Sequence, residues 1–334
     1  MHLFRSWTIA SGATAVMVLS LLFAPIKDGK TASRGANWPG SRDAVVRHLD
    51  QGGGPGGAKA EAEVSPSSPA AQAKRPRPSV VYYSDRVAVL MYHHLQEKPE
   101  RGDILSPRQF ERQMELLAEN GFQVISAEKY AAFMLEGAKV PDNAVLLTFD
   151  DGYASFYELA YPILKKFGYP AINFVIVSGV DQRNKPGIKK LTWDQMREMQ
   201  QDGIAFMNHT YDLHAKKADA SGKEVPLTGR QYLEDKGRRE TAREYRKRVL
   251  DDLLLAEKRL SEELGNELRM MAFPYGYHTE ELVHITREAG IKIMFSVKHG
   301  LASRKDKVAP RVNAGRSDVE PEELIRTLKV LGSK

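Results

Sequence analysis

The sequence predicts an α/β fold built on a parallel sheet, arranged either as a barrel or as a doubly wound sheet. Short apolar runs alternate with amphipathic segments from Val87 to Leu331, which is the pattern of repeated βα units. One run, Ala144–Phe149, is almost continuously apolar, as expected of a parallel strand buried on both faces. Capping residues flank several amphipathic segments and mark where helices begin and end.

Apolar runs between turn residues predict the strands. We expect strands over Val87–Met91, Phe122–Ile125, Ala144–Phe149, Ala171–Val177, Ile204–Met207, Met270–Phe273 and Ile291–Val297. No internal repeat relates these segments.

Capping signals and 3.6-residue periodicity predict the helices between the strands. The first helix begins at Ser106 and Pro107, an N-cap followed by a first-turn proline, and closes at Gly121. The other predicted helices are Ser126–Gly137, Ser155–Phe167, Thr192–Gly203, Arg239–Leu264, Thr279–Ala289 and Glu320–Leu331. In the long charged one, apolar residues recur at helical spacing: Tyr245, Val249, Leu253, Ala256 and Leu260.

Composition excludes several classes of protein. The 334 residues include 28% charged and 42% hydrophobic residues, an ordinary globular balance. The absence of cysteine excludes disulfide scaffolds, thiol nucleophiles and cysteine-based zinc sites. Residues 1–80 hold ten basic and five acidic residues, so they account for most of the net charge of +6. This basic tail on a nearly neutral body predicts a segment facing a membrane or cell wall and no nucleic-acid partner.

The N-terminal region predicts export. An uncharged stretch of 21 residues lies between Arg5 and Lys27, long enough as a helix to span about one hydrocarbon core. Residues 51–80 are rich in Gly, Pro and Ser and contain no aromatic residue, which predicts a flexible linker. We therefore expect a signal peptide or membrane anchor over 1–26, a linker over 27–80 and a folded domain over 81–334.

Polar residues follow four of the predicted strands at the point where each strand ends. These are Tyr92-His93-His94, Asp150-Asp151, Asn208-His209 and Pro274-Tyr275-Gly276. In α/β barrels, the carboxyl ends of the strands meet at one face and supply the reactive groups. The four groups are therefore expected to share one site.

The residue types at these strand ends predict a hydrolytic metal site. Two adjacent aspartates, Asp150 and Asp151, would repel each other if both were buried without a partner. A divalent cation resolves this when it binds one of them and the other remains free to move protons. His209 and His214, on a turn leaving the strand, would complete a set of two histidines and one carboxylate.

Each piece also has a purely structural interpretation. Asp150-Asp151-Gly152 is compatible with a turn or a helix cap, His209 with a buried core histidine, and Tyr92-His93-His94 with strand-end packing. Pro274-Tyr275-Gly276 is compatible with a simple turn. The functional interpretation depends on the conjunction of the four.

Three sequence blocks together resemble the polysaccharide deacetylases, carbohydrate esterase family four. They are Thr148-Phe149-Asp150-Asp151-Gly152-Tyr153, Asn208-His209-Thr210-Tyr211-Asp212-Leu213-His214 and Phe273-Pro274-Tyr275-Gly276. The opening Val89–His94 and the late Pro310-Arg311-Val312-Asn313 resemble the branch of poly-β-1,6-N-acetylglucosamine deacetylases. The resemblance covers residues 85–334.

The resemblance implies a distorted (β/α) barrel of about seven strands and a role for each motif residue. Asp150 would be the general base, and Asp151, His209 and His214 would bind a divalent metal, Zn²⁺ or a similar ion such as Co²⁺. The backbone N–H of Tyr275 would stabilise the oxyanion as water attacks an acetamide carbonyl. Acetate would leave, and the sugar would keep a free amine.

Two departures from the family pattern change which residues are expected to pair with the base and to act as the general acid. In typical members an arginine shortly before the Pro-Tyr-Gly motif pairs with the catalytic base. The stretch before Pro274 lacks it, so Arg311 is expected near Asp150 instead. No Leu-x-His, the motif that usually supplies the general acid, follows residue 300. The resemblance to the poly-N-acetylglucosamine branch implies that the early Tyr92-His93 strand supplies this histidine, so His93 would be the general acid, with His94 as a further substrate contact. The insert Ala218–Gly237 is expected to be a long loop with no assigned chemistry.

The sequence thus predicts an extracytoplasmic N-deacetylase that acts on an N-acetylglucosamine-containing envelope polysaccharide, with no protein partner evident. Two alternatives remain open at this stage. One is a carbohydrate-binding module that kept the fold and lost turnover, and the other is a metal-dependent amidase or esterase acting on a small acylated substrate.

Overall fold

The computed structural model describes residues 80–333 apart from residues 183 and 185. The predicted anchor and most of the predicted linker lie outside these residues. In the part of the chain that is described, no helix is long and apolar enough to cross a membrane.

Seven parallel strands form one continuous curled sheet, a half-barrel consistent with the predicted (β/α) barrel. Their order across the sheet is β11-β10-β5-β4-β3-β1-β12, and the two-residue β2 pairs beside the start of β3. The strands are β1 Val87–Tyr92, β2 Gln123–Val124, β3 Ala144–Asp150, β4 Ala171–Val175, β5 Ile204–Asn208, β10 Met270–Ala272, β11 Ile293–Phe295 and β12 Val312–Asn313.

The chain entering β12 also reaches the opposite end of the sheet. Ala309 forms a parallel bridge with Phe295 of β11, and Val312 pairs with Leu90 of β1. Only a few residues therefore separate the two ends of the curl. Arg311 lies between these two pairing positions.

Within the described residues, eight α-helices pack around the sheet or follow its strands. They are α1 Pro107–Glu119, α2 Ala127–Glu136, α3 Tyr161–Phe167, α4 Val177–Asp181, α5 Trp193–Gln200, α6 Ala242–Leu264, α7 Glu280–Glu288 and α8 Pro321–Gly332. Three of these helices begin with a capping box, at Ser106, Thr192 and Thr241. In each box the N-cap side chain accepts a hydrogen bond from the N3 backbone N–H, and the N3 side chain accepts one from the N-cap backbone N–H. The predicted starts of the first and fourth helices are confirmed.

Alternating residues of the central strands face two apolar layers. Leu147 and Phe149 of β3 pack toward the helices, where the Phe149 ring lies 4.6 Å from that of Phe156. Leu146 faces the interior of the curl with Phe174 and Phe295. Burial on both faces explains why β3 reads as a continuous apolar run.

Two predicted elements change type within their span. The predicted helix Ser155–Phe167 begins with a π-helical turn at Phe156–Ala160 and continues as α3. Pro162 has no N–H to donate to an α-helical hydrogen bond. The Tyr161 N–H donates to the Phe156 carbonyl, five residues back, which is the bond of a π-helix. The predicted strand to Val177 ends at Val175, because the Val177 N–H donates to the Thr210 carbonyl and α4 begins there.

The prediction of a long loop over Ala218–Gly237 is wrong. Two antiparallel hairpins occupy this region, formed by the strands β6 Lys216–Ala218, β7 Glu224–Pro226, β8 Tyr232–Leu233 and β9 Arg238–Arg239. Arg248 of α6 anchors them by binding Glu240 and the carbonyls of Leu227 and Gly229. The strands are too short and too polar for periodicity to reveal them.

Candidate active site

The four predicted strand-end motifs lie at one edge of the sheet and line one cleft of about 430 Å³. β1, β3, β5 and β10 are parallel, so their carboxyl ends converge as expected. The cleft is lined by all the predicted site residues except Arg311, namely His93, His94, Asp150, Asp151, His209, His214 and Tyr275.

Asp151, His209 and His214 offer ligand atoms within 4.8 Å of one another. Asp151 Oδ1 lies 3.5 Å from His209 Nε2 and 3.2 Å from His214 Nε2. This oxygen is buried and has no hydrogen-bond partner of good geometry among the described residues. A buried, orphaned carboxylate oxygen facing two imidazole nitrogens fits a divalent cation, because such a cation would satisfy all three atoms.

The histidines are held in the form that binds metal. His209 Nδ1 lies 2.8 Å from the Ala272 carbonyl oxygen, which can only accept, so Nδ1 carries the proton and Nε2 keeps its lone pair. Burial, reinforced by repulsion from His209, lowers the pKa of His214 to about 4. His214 is therefore neutral at pH 7.

The Asp151 carboxyl group is ionised despite its burial. Burial opposes its ionisation, but the contact with the His209 imidazole outweighs this and holds the pKa of Asp151 well below its ordinary range. Its backbone is in the left-handed region with φ 76°, directly after β3. The neighbouring Asp150 keeps strand geometry, so the two adjacent carboxylates separate into different environments.

Asp150 forms a buried bidentate ion pair with Arg311. Arg311 Nη1 and Nη2 each donate to one carboxylate oxygen at 2.8 Å, and Arg311 Nε donates to the Ser296 carbonyl. Burial alone would raise the pKa of Asp150, but the Arg311 guanidinium reverses the effect and keeps this pKa below its ordinary value. The structure thus places Arg311 beside Asp150, on the segment between the Phe295–Ala309 bridge and β12.

The two histidines that follow β1 point to different parts of the cleft. His93 Nε2 lies 3.8 Å from Asp150 Oδ2, and its side chain is 37% exposed. His94 instead places Nδ1 2.8 Å from the Ser155 hydroxyl, and its ring lies 5.1 Å from that of Tyr153. Of these two histidines, His93 is therefore the one beside Asp150.

Tyr275 lies at the rim, on the turn after β10. Its φ of 57° and the φ of 67° at Gly276 turn the chain sharply over the site. The Tyr275 ring lies 4.8 Å from that of His214, and Lys216 Nζ of the first hairpin lies 4.6 Å from the ring centre. Tyr275, Ile188 and Val297 expose apolar surface at the mouth of the cleft.

Lys190 is a site neighbour that sequence reasoning missed. Its Nζ donates to the Asp151 carbonyl at 2.8 Å and lies 3.8 Å from the centre of the Tyr153 ring. Burial lowers the pKa of Lys190 to about 8. Lys190 stands beside Lys189 in a polar loop, and no pattern distinguishes the half-buried lysine from the exposed one.

Comparison with known proteins identifies the class of protein that this fold and site define. The family profile "Polysaccharide deacetylase" matches residues 137–294. The solved deacetylase domain of BpsB from Bordetella bronchiseptica is 30% identical, with a TM-score of 0.61 over 69% of this chain and 96% of that domain. The chain belongs to the polysaccharide deacetylase family, whose members are hydrolases acting on carbon–nitrogen bonds.

Two further relatives carry more particular names. The chain is 30% identical over 240 residues to the poly-beta-1,6-N-acetyl-D-glucosamine N-deacetylase of Escherichia coli strain K12. That match covers 67% of this chain but only 36% of the length of the relative. The solved de-N-acetylase from Aggregatibacter actinomycetemcomitans is 27% identical, with a TM-score of 0.66 over 73% of this chain and all of that one.

Proposed function

We propose that this protein is a divalent-metal-dependent N-deacetylase that removes acetyl groups from a poly-N-acetylglucosamine-type polysaccharide. The observation that carries the proposal is the convergence of Asp151, His209 and His214 on one point beside the Arg311-paired Asp150. The names of the relatives supply the substrate class. In the reaction water cleaves the acetamide C–N bond, giving acetate and a sugar amine.

Asp151, His209 and His214 would hold the metal, with Zn²⁺ as our first choice and Co²⁺ as a further candidate. Two histidines and one carboxylate are a ligand set typical of hydrolytic zinc sites. When bound, such an ion supplies Lewis-acid chemistry: it lowers the pKa of water and polarises the carbonyl oxygen. The identity of the ion is open, because sites of this type accept several divalent metals.

Asp150 would be the general base that takes a proton from the attacking water. Arg311 engages one lone-pair direction on each carboxylate oxygen, and each oxygen keeps further acceptor capacity. The pairing orients Asp150 and keeps it ionised. It also lowers the pKa of Asp150 and so makes this carboxylate a weak base.

His93 would be the general acid, and Tyr275 would stabilise the developing oxyanion through its backbone N–H. Breaking the C–N bond produces an amine that must gain a proton, and His93 lies on the Asp150 side of the cleft within reach of a shared substrate. The left-handed turn at Tyr275 presents backbone at the rim, where amide donors are effective at the oxyanion. His94, held by Ser155, would contact substrate.

The exposed mouth of the cleft suits a chain of sugars. Tyr275, Ile188 and Val297 provide aromatic and apolar surface on which sugar rings can pack. We further propose that the predicted N-terminal segment, 1–26, exports or anchors the protein and that 27–80 links it to the domain 81–334. The enzyme would then meet its polymer outside the cytoplasm.

Acetate release tests the proposal directly. The purified chain, loaded with Zn²⁺ or Co²⁺, is incubated with β-1,6-linked N-acetylglucosamine oligomers, β-1,4-linked oligomers and peptidoglycan. We expect acetate from the β-1,6-linked oligomers, its loss on chelation and its return when metal is restored. Folded, metal-loaded protein that releases no acetate from any of these substrates would overturn the proposal and favour a binding module or a small acylated substrate.

A further inference from the structure

The turn that carries both histidines is held by hydrogen bonds to its backbone N–H groups. Residues 209–213 present five consecutive N–H groups, and each has a partner. The His209 N–H donates to the Val175 carbonyl, as a continuation of the sheet, and the Leu213 N–H donates to the Thr210 hydroxyl. Of the three amides between them, that of Thr210 donates to the nearby Asn208 side chain, and those of Tyr211 and Asp212 donate to a side chain of α6.

Asp252 of α6 accepts two of these amides. The Tyr211 N–H donates to Oδ1 at 2.9 Å and the Asp212 N–H donates to Oδ2 at 2.8 Å. One carboxylate therefore binds the middle of the turn with both oxygens. Such charge-assisted bonds are stronger than those to a neutral acceptor, and an uncharged acceptor could not reproduce both.

Glu257, five positions further along α6, acts on the same turn through Asn208. Asn208 Nδ2 donates to Glu257 Oε1 at 2.8 Å, and Asn208 Oδ1 accepts the Thr210 N–H at 2.7 Å. Thr210 has a φ of 73°, in the left-handed region that a threonine rarely adopts. The bond to Asn208 fixes this strained residue next to His209.

The location of both carboxylates is costly for the fold. Glu257 lies on the stripe of α6 that otherwise buries Tyr245, Val249, Leu253, Ala256 and Leu260. Burial raises the pKa of Glu257 to about 7 and that of Asp252 to about 6, so ionising either in place is unfavourable. Apolar residues would pack the stripe without this penalty. Both acids lie where they contact the turn that carries His209 and His214, Asp252 directly and Glu257 through Asn208.

We infer that Asp252 and Glu257 are positioning residues that hold the turn 208–214 in the shape that brings His209 and His214 to one metal. This inference rests on the proposed metal site. α6 thereby supports the proposed metal site, although neither carboxylate contacts the ligand nitrogens of His209 and His214. Their effect passes through the backbone of Tyr211 and Asp212 and through the side chain of Asn208.

The test measures metal affinity and amide hydrogen exchange in full-length variants. In Asp252→Asn, an NH₂ group must face one of the two amides. We expect it to bind Co²⁺ and Zn²⁺ about 10- to 100-fold more weakly, the usual cost of losing an outer-shell partner. Without metal, the Tyr211 and Asp212 amides should exchange faster. Asp251→Asn makes the same change one residue away, at an exposed side chain paired with Lys247, and should match wild type.

Glu257 allows a rescue comparison. Glu257→Gln keeps an acceptor for Asn208 and should retain wild-type metal affinity, whereas Glu257→Leu removes the acceptor and should weaken binding. If the leucine variant does not fold, Asp252→Asn decides the matter alone. Wild-type affinity in a folded Asp252→Asn would overturn the inference. Failure of wild type itself to bind metal would instead refute the proposed function.

Discussion

Arg311 binds both carboxylate oxygens of Asp150 at 2.8 Å, although 161 positions separate the two residues in the chain. Both side chains are almost fully buried. The pair joins the end of β3 to the segment entering β12. The proposed base is therefore bound to the segment that contacts both end strands of the curled sheet. Its removal should affect both stability and turnover.

Arg311→Met should destabilise the fold by about 3–5 kcal/mol, because it leaves the Asp150 carboxylate buried without a partner. Denaturant unfolding at pH 7 measures this. The double variant Asp150→Asn/Arg311→Met should recover part of the loss. Arg326→Met, at an exposed arginine paired with Glu323, should change stability by less than about 0.5 kcal/mol. A single Arg311→Met variant as stable as that control would show that the pair does not contribute as described.

His93→Gln should lower kcat about 10²- to 10⁴-fold, the range typical of a lost general acid, while metal content and unfolding remain unchanged. His93 is 37% exposed, and its Nε2 lies 3.8 Å from Asp150 Oδ2, beyond hydrogen-bond distance. His284→Gln, at a 74% exposed histidine on α7, provides the matched control and should retain full activity. Full activity in His93→Gln would transfer the acid role to another group.

Gly276→Ala should destabilise the protein and displace Tyr275. A Cβ at Gly276 would lie 2.4 Å from Val297 Cγ2 and 2.8 Å from the Val297 backbone nitrogen, in a left-handed residue. We expect a loss of about 1–3 kcal/mol together with reduced kcat. Gly222→Ala shares the positive φ but meets nothing within 4 Å, so it should cost only about 1 kcal/mol and leave turnover intact. Equal behaviour of the two variants would argue against steric control of the turn.

Glu257 should make stability fall as pH rises. Its pKa is raised from 4.5 to about 7 by burial, against the opposing effects of Asn208 and Arg269. The unfolded chain therefore loses this proton near pH 4.5 while the folded protein retains it, so the contribution is full below pH 4.5 and is lost by about pH 7. Over that range wild type should lose about 3 kcal/mol relative to Glu257→Gln.

Unfolding free energies of both proteins at several pH values, measured with chelator present, give this difference directly. Glu262→Gln, at an exposed glutamate on the same helix, should show no such pH-dependent difference from wild type. A flat difference between wild type and Glu257→Gln would mean that Glu257 is already ionised in the folded state.

Sequence reasoning was most successful where local signals dominate. Caps and apolar periodicity located most helices and strands, and the positions of polar residues after four strands predicted a shared cleft. The two-residue strand β12 was missed because its pairing with β1 depends on contacts more than 200 positions away. The hairpins over 216–239 were missed because exposed, polar two- and three-residue strands carry no periodic signal.

Within the site, residue types predicted that Asp151, His209 and His214 would lie together, but the residues that support them were not predicted. Glu257 left one sequence signal, a charged residue within an apolar helical stripe, that could have been followed. Asp252 and Lys190 left none, because each acts on backbone atoms brought together only by the fold. Contacts to backbone depend on three-dimensional position and are largely invisible in residue identity.

The most direct test of the central claim is to measure bound metal and acetate release on the same samples of wild type, Asp150→Asn and His209→Ala. The separate roles of base and ligand predict that Asp150→Asn keeps its metal and loses turnover, whereas His209→Ala loses both. Normal acetate release by either variant would contradict the account.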